Sequence, residues 1–213
     1  PAGWPAQVQT IAFVSSADGS RQPAAFYHSG APGPKPLLVA LHTWSYDYDQ
    51  EMNIPYAEWC AAHDWILIAP SFSGPNNRPE ATGSELAVQD VLDAVAYACE
   101  WDGPSPRALS VPKRGPSTGS GCATRALSGV LSGSKDLPKR GPSTGSGRVD
   151  TNRIYLVGVS GGGHLSWMAG AADDRFAVVQ PVAGTANILT HVKLDLERMH
   201  CDCAYFINTY RHD

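Results

Sequence analysis

The sequence predicts an α/β sandwich in which helices flank a mostly parallel sheet. Three observations carry that expectation. Unbroken apolar runs, PLLVALH at 36–42, DWILIAPS at 64–71 and RIYLVGVS at 153–160, suit strands buried on both faces. Segments of helical spacing lie between them, and that alternation closes a parallel sheet through crossovers. The 43% hydrophobic and 17% charged fractions are those of an ordinary globular chain, and 213 residues suit one domain.

The elements follow in order. QVQTIAFVSS at 7–16 and QPAAFYHSG at 22–30, joined by the turn-like ADGSR, predict an opening antiparallel pair. The runs at 36–42 and 64–71 predict two central strands. Between them Pro55 suits the first turn of a helix through YAEWCAAHD, which would cover one face of the sheet. Thr82 and Glu85 have capping-box spacing, and Leu86, Val88, Val91, Leu92, Val95 and Cys99 then recur at helical intervals. RIYLVGVS predicts another buried strand, GGHLSWMAGAA at 162–172 a helix of small residues, and RFAVVQPVAG at 175–184 a further strand.

One region breaks this rhythm. PKRGPSTGSG stands at 112–121 and again at 138–147, and RALS at 107 and again at 125. Two copies fall short of a solenoid, so 102–147 is expected to be a flexible insertion within the single domain 1–213. Without it, the preceding helix would connect to the next strand by an ordinary short loop. Such a loop enters at the strands' amino ends, away from the carboxyl rim where ligands of open α/β sheets gather.

Composition narrows the function classes. A formal charge of −4 offers no general attraction to nucleic acid or to anionic membrane, and no segment is long and apolar enough to span a bilayer. The two PKRG pieces read as solvated loop. Five cysteines (Cys60, Cys99, Cys122, Cys201, Cys203) cannot all pair within one chain, and none has the paired spacing of a zinc module. No metal or organic cofactor is expected. The chain starts without Met and without a leader, which is how a processed secreted protein starts, so secretion is the expectation and the cytoplasm the alternative.

The chemistry concentrates in LVGVSGGGHLS at 156–166. Gly158, Val159, Ser160, Gly161 and Gly162 spell G-x-S-x-G between a buried strand and a helix of small residues. A serine hydroxyl attacks only when it projects clear of the backbone and a base takes its proton. A sharp strand-to-helix turn provides the projection, glycines fit the crowding around it, and the helix start presents N–H groups to a developing oxyanion.

With the elbow GVSGG, the loop LVALHTWS and the segment ILIAPSFSG in this order, the chain resembles the α/β-hydrolase family over roughly 7–101 and 148–190. The resemblance is greatest to esterases and prolyl-oligopeptidase-type hydrolases. It implies an α/β-hydrolase-type sheet, a small-molecule ester as substrate, and Ser160 as the nucleophile that forms an acyl-enzyme. It also implies an oxyanion hole from the N–H of Gly161 and one from the loop after LLVALH. Trp44 occupies the usual donor slot of that loop, two residues beyond His42, although Thr43 stands where a glycine is customary. His42 is expected to brace the loop. Tyr46 and Trp167 are expected pocket walls.

Family order places an acid and then a histidine after the nucleophile. The tail TANILTHVKLDLERMHCDCAYFINTYRHD has no clear strand-and-loop units to carry them. His164, four residues beyond Ser160, is expected to be a packed or capping residue. That leaves His191, His200 and His212, with Asp195, Asp202 and Asp213 as acids, and His200 or His212 as the base candidates. Two endings fit: a truncated or rearranged hydrolase sequence that keeps the nucleophile and oxyanion loop but lacks the final strands and the base, or an unconventional short ending that returns a histidine to Ser160. The first is the expectation, and it implies an exposed sheet edge open to self-association. Three functions follow from these residues: an ester hydrolase, a prolyl-oligopeptidase-type peptidase, or a catalytically impaired hydrolase-like binding domain or truncated fragment.

Overall fold

A computed structural model describes residues 3–44, 46–73, 83–101 and 149–184. Among these residues six strands form one sheet: β1 (Gln9–Val14), β2 (Arg21–Tyr27), β3 (Lys35–Leu41), β4 (Ile66–Pro70), β5 (Val149–Val159) and β6 (Phe176–Val182). Three α-helices pack on it: α1 (Ile54–His63), α2 (Glu85–Glu100) and α3 (Gly161–Ala172). The sheet order is β1-β2-β4-β3-β5-β6. β1 and β2 pair antiparallel, as do β2 and β4, while β3–β4, β3–β5 and β5–β6 are parallel. The expected α/β sandwich with a mostly parallel sheet is therefore the observed architecture.

Strand periodicity explains the two cores. Leu37, Val39, Leu41, Ile66, Ile68, Ile154 and Leu156 face α2 and α3 in one cluster. Ala40, Leu67, Ala69 and Val157 face the opposite way, with Ala57 and Cys60 of α1. Successive side chains of a strand point to opposite faces, so β3, β4 and β5 need apolar residues at almost every position. Each fully buried Leu or Ile contributes about 1.5–3 kcal/mol. Burial pushes the Cys60 thiol up to about 12 and the Cys99 thiol to about 11, which makes both packing residues and poor nucleophiles.

Three expectations need correction. The N-cap of α2 is Ser84, whose hydroxyl accepts the Ala87 N–H at 3.2 Å. Thr82, the expected cap, lies outside the described residues. The buried face of α2 is Ala87, Asp90, Val91, Ala94, Val95 and Ala98, so small residues set its approach to the sheet while Leu86 and Leu92 are only half-buried. β5 begins at Val149, earlier than the apolar run, because an irregular segment pairs Val149 with Lys35 before regular pairing starts at Leu37 and Ile154. The insertion at 102–147 and the tail with its expected exposed edge fall outside the described residues.

Pro55 does sit in the first turn of α1, where its missing N–H costs nothing. The helix stops at Asp64 in the left-handed region (φ 56°, ψ 42°), and the Asp64 carboxylate pairs with Lys35 at the start of β3. The Lys35 ammonium and the Ser29 hydroxyl hold the Asp64 carboxyl below the usual range.

A buried polar cluster ties α2 to the rim of the sheet. The Ser73 N–H donates to Asp90 Oδ2 at 2.5 Å, and Gln22 Nε2 donates to Ser73 Oγ at 2.9 Å. Ser15 Oγ and Asp90 Oδ1 lack a well-formed hydrogen bond among the described residues, although Ser15 is close enough to favour the carboxylate. Desolvation outweighs these contacts and raises the Asp90 pKa above its ordinary value. Below the ordinary carboxylate range both folded and unfolded chains hold the proton. As pH rises toward the raised native value the unfolded chain releases its proton first, so the native state loses stability. Asp90→Asn keeps an acceptor for Ser73 and removes that loss. The variant is expected to gain Tm over wild type at about pH 8, with the gain shrinking toward about pH 4, in thermal unfolding at both pH values.

Candidate active site

The parallel strands β3, β4, β5 and β6 end at one rim, and the loops leaving them build the site. Ser160 stands between the last residue of β5 and the first of α3, at φ 56° and ψ −114°. Positive φ is rare for a residue with a Cβ, and the strain of about 1–3 kcal/mol persists only where the surroundings enforce it. Here they do. The Ser160 N–H donates to the Val182 carbonyl at 2.9 Å, and the Ser160 carbonyl accepts the His164 N–H at 2.9 Å. The side chain is exposed and does not cap the helix it precedes.

The glycines around it answer to named neighbours. A Cβ at Gly158 would meet the Gly162 carbonyl oxygen at 2.2 Å. One at Gly162 would meet the His42 and Leu41 carbonyl oxygens at 2.5 and 2.6 Å. The first turn of α3 thus packs backbone to backbone against the exit of β3. At Gly161 the neighbour is a side chain: the Trp44 indole lies where a Cβ would be, at 2.4 Å. The structure therefore brings Trp44 and Gly161 into contact. The start of α3 also leaves the N–H groups of Gly161, Gly162 and Gly163 without intrahelical acceptors, at the positive end of the helix dipole.

The loop after β3 is held by buried polar groups. His42 Nδ1 lies 2.8 Å from the Thr43 carbonyl, and because a carbonyl only accepts, the proton sits on Nδ1. The ring stacks flat on Phe72 (4.0 Å, 3°), and burial lowers its pKa, so His42 is a neutral packed group under the loop. The Thr43 N–H donates to Gln50 Oε1 at 2.9 Å, which removes Thr43 as an oxyanion donor. Tyr46 is 58% exposed on this loop. Trp167, 46% exposed, lies on the Ser160 side of α3 about 10 Å further along the axis.

His164 is buried on α3, with its ring centroid 6.3 Å from that of Trp44 and its Nε2 against Gly83, the residue before the α2 cap. It packs between two loops, as expected. The remaining described histidines, His28 and His63, stand at the opposite rim, after β2 and at the end of α1. His191, His200 and His212, with Asp195, Asp202 and Asp213, lie outside the described residues. Among the described residues no group of three His, Cys, Asp or Glu is placed to hold a metal ion. Sequence reasoning missed Gln50, Asn53 and Gly83, whose places depend on contacts between segments far apart in the chain.

The Gly162 contact yields a direct test. Gly162→Ala places a methyl between two backbone carbonyls that cannot rotate away. It is expected to destabilise the fold by about 3 kcal/mol or more in urea unfolding, more than a Gly→Ala change in open space.

No family model matches the chain, and no curated protein sequence matches it. Solved structures do resemble it. The 2,6-dihydroxy-pseudo-oxynicotine hydrolase superposes with a TM-score of 0.59 at 12% identity, over 97% of this chain and 44% of that one. The S-formylglutathione hydrolase of Staphylococcus aureus gives 0.50 at 14%, over 87% and 60%. The acetyl xylan esterase of Paenibacillus sp. R4 gives 0.50 at 16%, over 99% and 60%. The chain therefore spans 44 to 60% of the length of these neighbours. With the sheet order, the two-sided helix cover and the serine bend at the carboxyl rim, these likenesses establish that the chain has the α/β-hydrolase fold.

Proposed function

We propose that the chain is a serine hydrolase that cleaves carboxylic esters through an acyl-enzyme on Ser160. The observation that carries this reading is an exposed serine held at φ 56° on a strand-to-helix bend, beside a helix start packed against the loop of Trp44. In the first step Ser160 Oγ attacks the ester carbonyl carbon, and its proton passes to an imidazole. The carbonyl oxygen becomes an oxyanion that the N–H groups of Gly161 and Trp44 hold, and the alcohol leaves with the proton. Water then repeats the sequence on the acyl-enzyme and releases the acid.

The base is assigned to a histidine beyond the described residues, with His200 and His212 as the two candidates. Support comes from the described histidines: His42 is buried with a lowered pKa, His164 is packed on the helix of the nucleophile, and His28 and His63 stand at the far rim. Tyr46 and Trp167 are assigned to the acyl or alcohol side of the pocket, as exposed aromatic side chains on the loop after β3 and on the helix that follows Ser160. The hydrolases and the esterase among the structural neighbours agree with this chemistry.

A fluorophosphonate probe and p-nitrophenyl acetate test the proposal together. The wild-type chain is expected to be labelled and to hydrolyse the ester, with both activities lost in Ser160→Ala by at least about 10⁴-fold. A peptide substrate beside the ester separates esterase from peptidase. Absence of labelling in folded wild-type protein would sink the enzyme reading in favour of a hydrolase-like binding domain. Of His200→Ala and His212→Ala, one is expected to abolish labelling and the other to leave it, as measured by labelling rate. Unchanged rates in both remove the two residues from the base role.

A further inference from the structure

Behind the loop after β3 lies a relay of two buried side-chain amides that the hydrolysis itself does not use. Gln50 Oε1 accepts the Thr43 N–H at 2.9 Å, Gln50 Nε2 donates to Asn53 Oδ1 at 2.9 Å, and Asn53 Nδ2 donates to the Ala40 carbonyl at 3.4 Å. Gln50 is 2% exposed and Asn53 1%. A backbone donor at one end and a backbone acceptor at the other allow each amide a single orientation, since reversing either sets oxygen against oxygen or N–H against N–H. The relay ties the residue before Trp44 to strand β3 and to the turn that opens α1.

Other bonds hold the loop too: His42 Nδ1 donates to the Thr43 carbonyl at 2.8 Å, and the Gln50 N–H donates to the Asp47 carbonyl at 3.0 Å. The Tyr46 N–H donates to the Thr43 carbonyl at 3.3 Å, and the Ser71 hydroxyl donates to Asp47 Oδ1 at 2.6 Å beyond it. A bond from Gln50 to the Thr43 N–H turns that amide into the protein. The next residue is Trp44, whose indole rests on Gly161.

We infer that Gln50 is a positioning residue for the oxyanion hole, holding the Thr43 N–H away from the substrate and so setting the Trp44 amide beside Gly161. The inference rests on the Ser160 hydrolase reading above. It assigns Gln50 no contact with substrate. Its effect falls on the transition state, where the oxyanion forms, and leaves ground-state binding of the ester almost untouched.

Two substitutions separate positioning from general stability. Gln50→Met keeps the length of the side chain and removes the acceptor. Gln50→Glu keeps an acceptor for Thr43 but buries a carboxyl, so it is expected to be the less stable of the two. Positioning predicts the opposite order in activity. Gln50→Met is expected to lower kcat for p-nitrophenyl acetate and the fluorophosphonate labelling rate by about tenfold or more, with KM within about twofold. Gln50→Glu is expected to stay closer to wild type in both rates despite its lower Tm. If Gln50→Met does not fold, Asn53→Ala, which unties Gln50 from β3 and leaves its oxygen on Thr43, is expected to give a smaller loss in the same measurements.

Wild-type rates in Gln50→Met, or in Asn53→Ala where it takes that place, overturn the inference and leave the hydrolase reading standing. So does a loss of activity that follows Tm, with Gln50→Glu slower than Gln50→Met. A folded wild-type chain that the probe does not label overturns both.

Discussion

The structure turns on one contact between backbones: the first turn of α3 against the carbonyl groups of Leu41 and His42 at the end of β3. No side chain fits between them. That approach places the strand-to-helix bend beside the neighbouring strand and keeps Ser160 in a region of backbone space that residues with a Cβ avoid. The strain, about 1–3 kcal/mol, is small beside the buried apolar contacts that hold β3, β5 and α3 together, so the fold wins and the serine stays lifted. β6 adds the last restraint through its Val182 carbonyl, although the side chains of that strand are largely exposed.

Around this contact the molecule concentrates its buried polar groups at the same rim. Gln50, Asn53, His42, Ser73, Asp90 and His164 are all buried, and the loops they support leave β3 and β4 or lead into α2. Apolar packing is nondirectional and cannot fix the orientation of an amide. Hydrogen bonds in a low-dielectric setting can, because a misdirected buried donor or acceptor costs about 1–3 kcal/mol. Three atoms bear part of such a cost: Ser15 Oγ, His42 Nε2 and Asp90 Oδ1 make no well-formed hydrogen bond among the described residues. At the opposite rim ion pairs take that part: Lys35 with Asp64 between α1 and β4, Arg153 with Asp150 at the start of β5, and Arg175 with Asp173 between α3 and β6.

Much of the architecture was legible in the chain. All six strands and three helices fall on segments marked by apolar runs, helical spacing and turn residues, because those patterns reflect local geometry. The bend at Ser160 was legible for the same reason, as a G-x-S-x-G sequence between a buried strand and a helix of small residues. The α2 cap was misassigned: the spacing of Thr82 and Glu85 suits a capping box, whereas the Ser84 hydroxyl, directly before the helix, takes the Ala87 N–H. The shallow burial of Leu86 and Leu92 escaped the pattern because α2 approaches the sheet through alanines.

The sequence alone determined the alternation of elements, the two-sided burial of the central strands and the place of the nucleophile candidate, since each depends on neighbours within a few residues. Tertiary structure decided what stands beside that serine. The indole of Trp44 on Gly161, the carbonyls of β3 over Gly162 and the grip of Gln50 on Thr43 join segments far apart in the chain, and a side chain's partner across such a distance is set only when the sheet brings the loops to one rim.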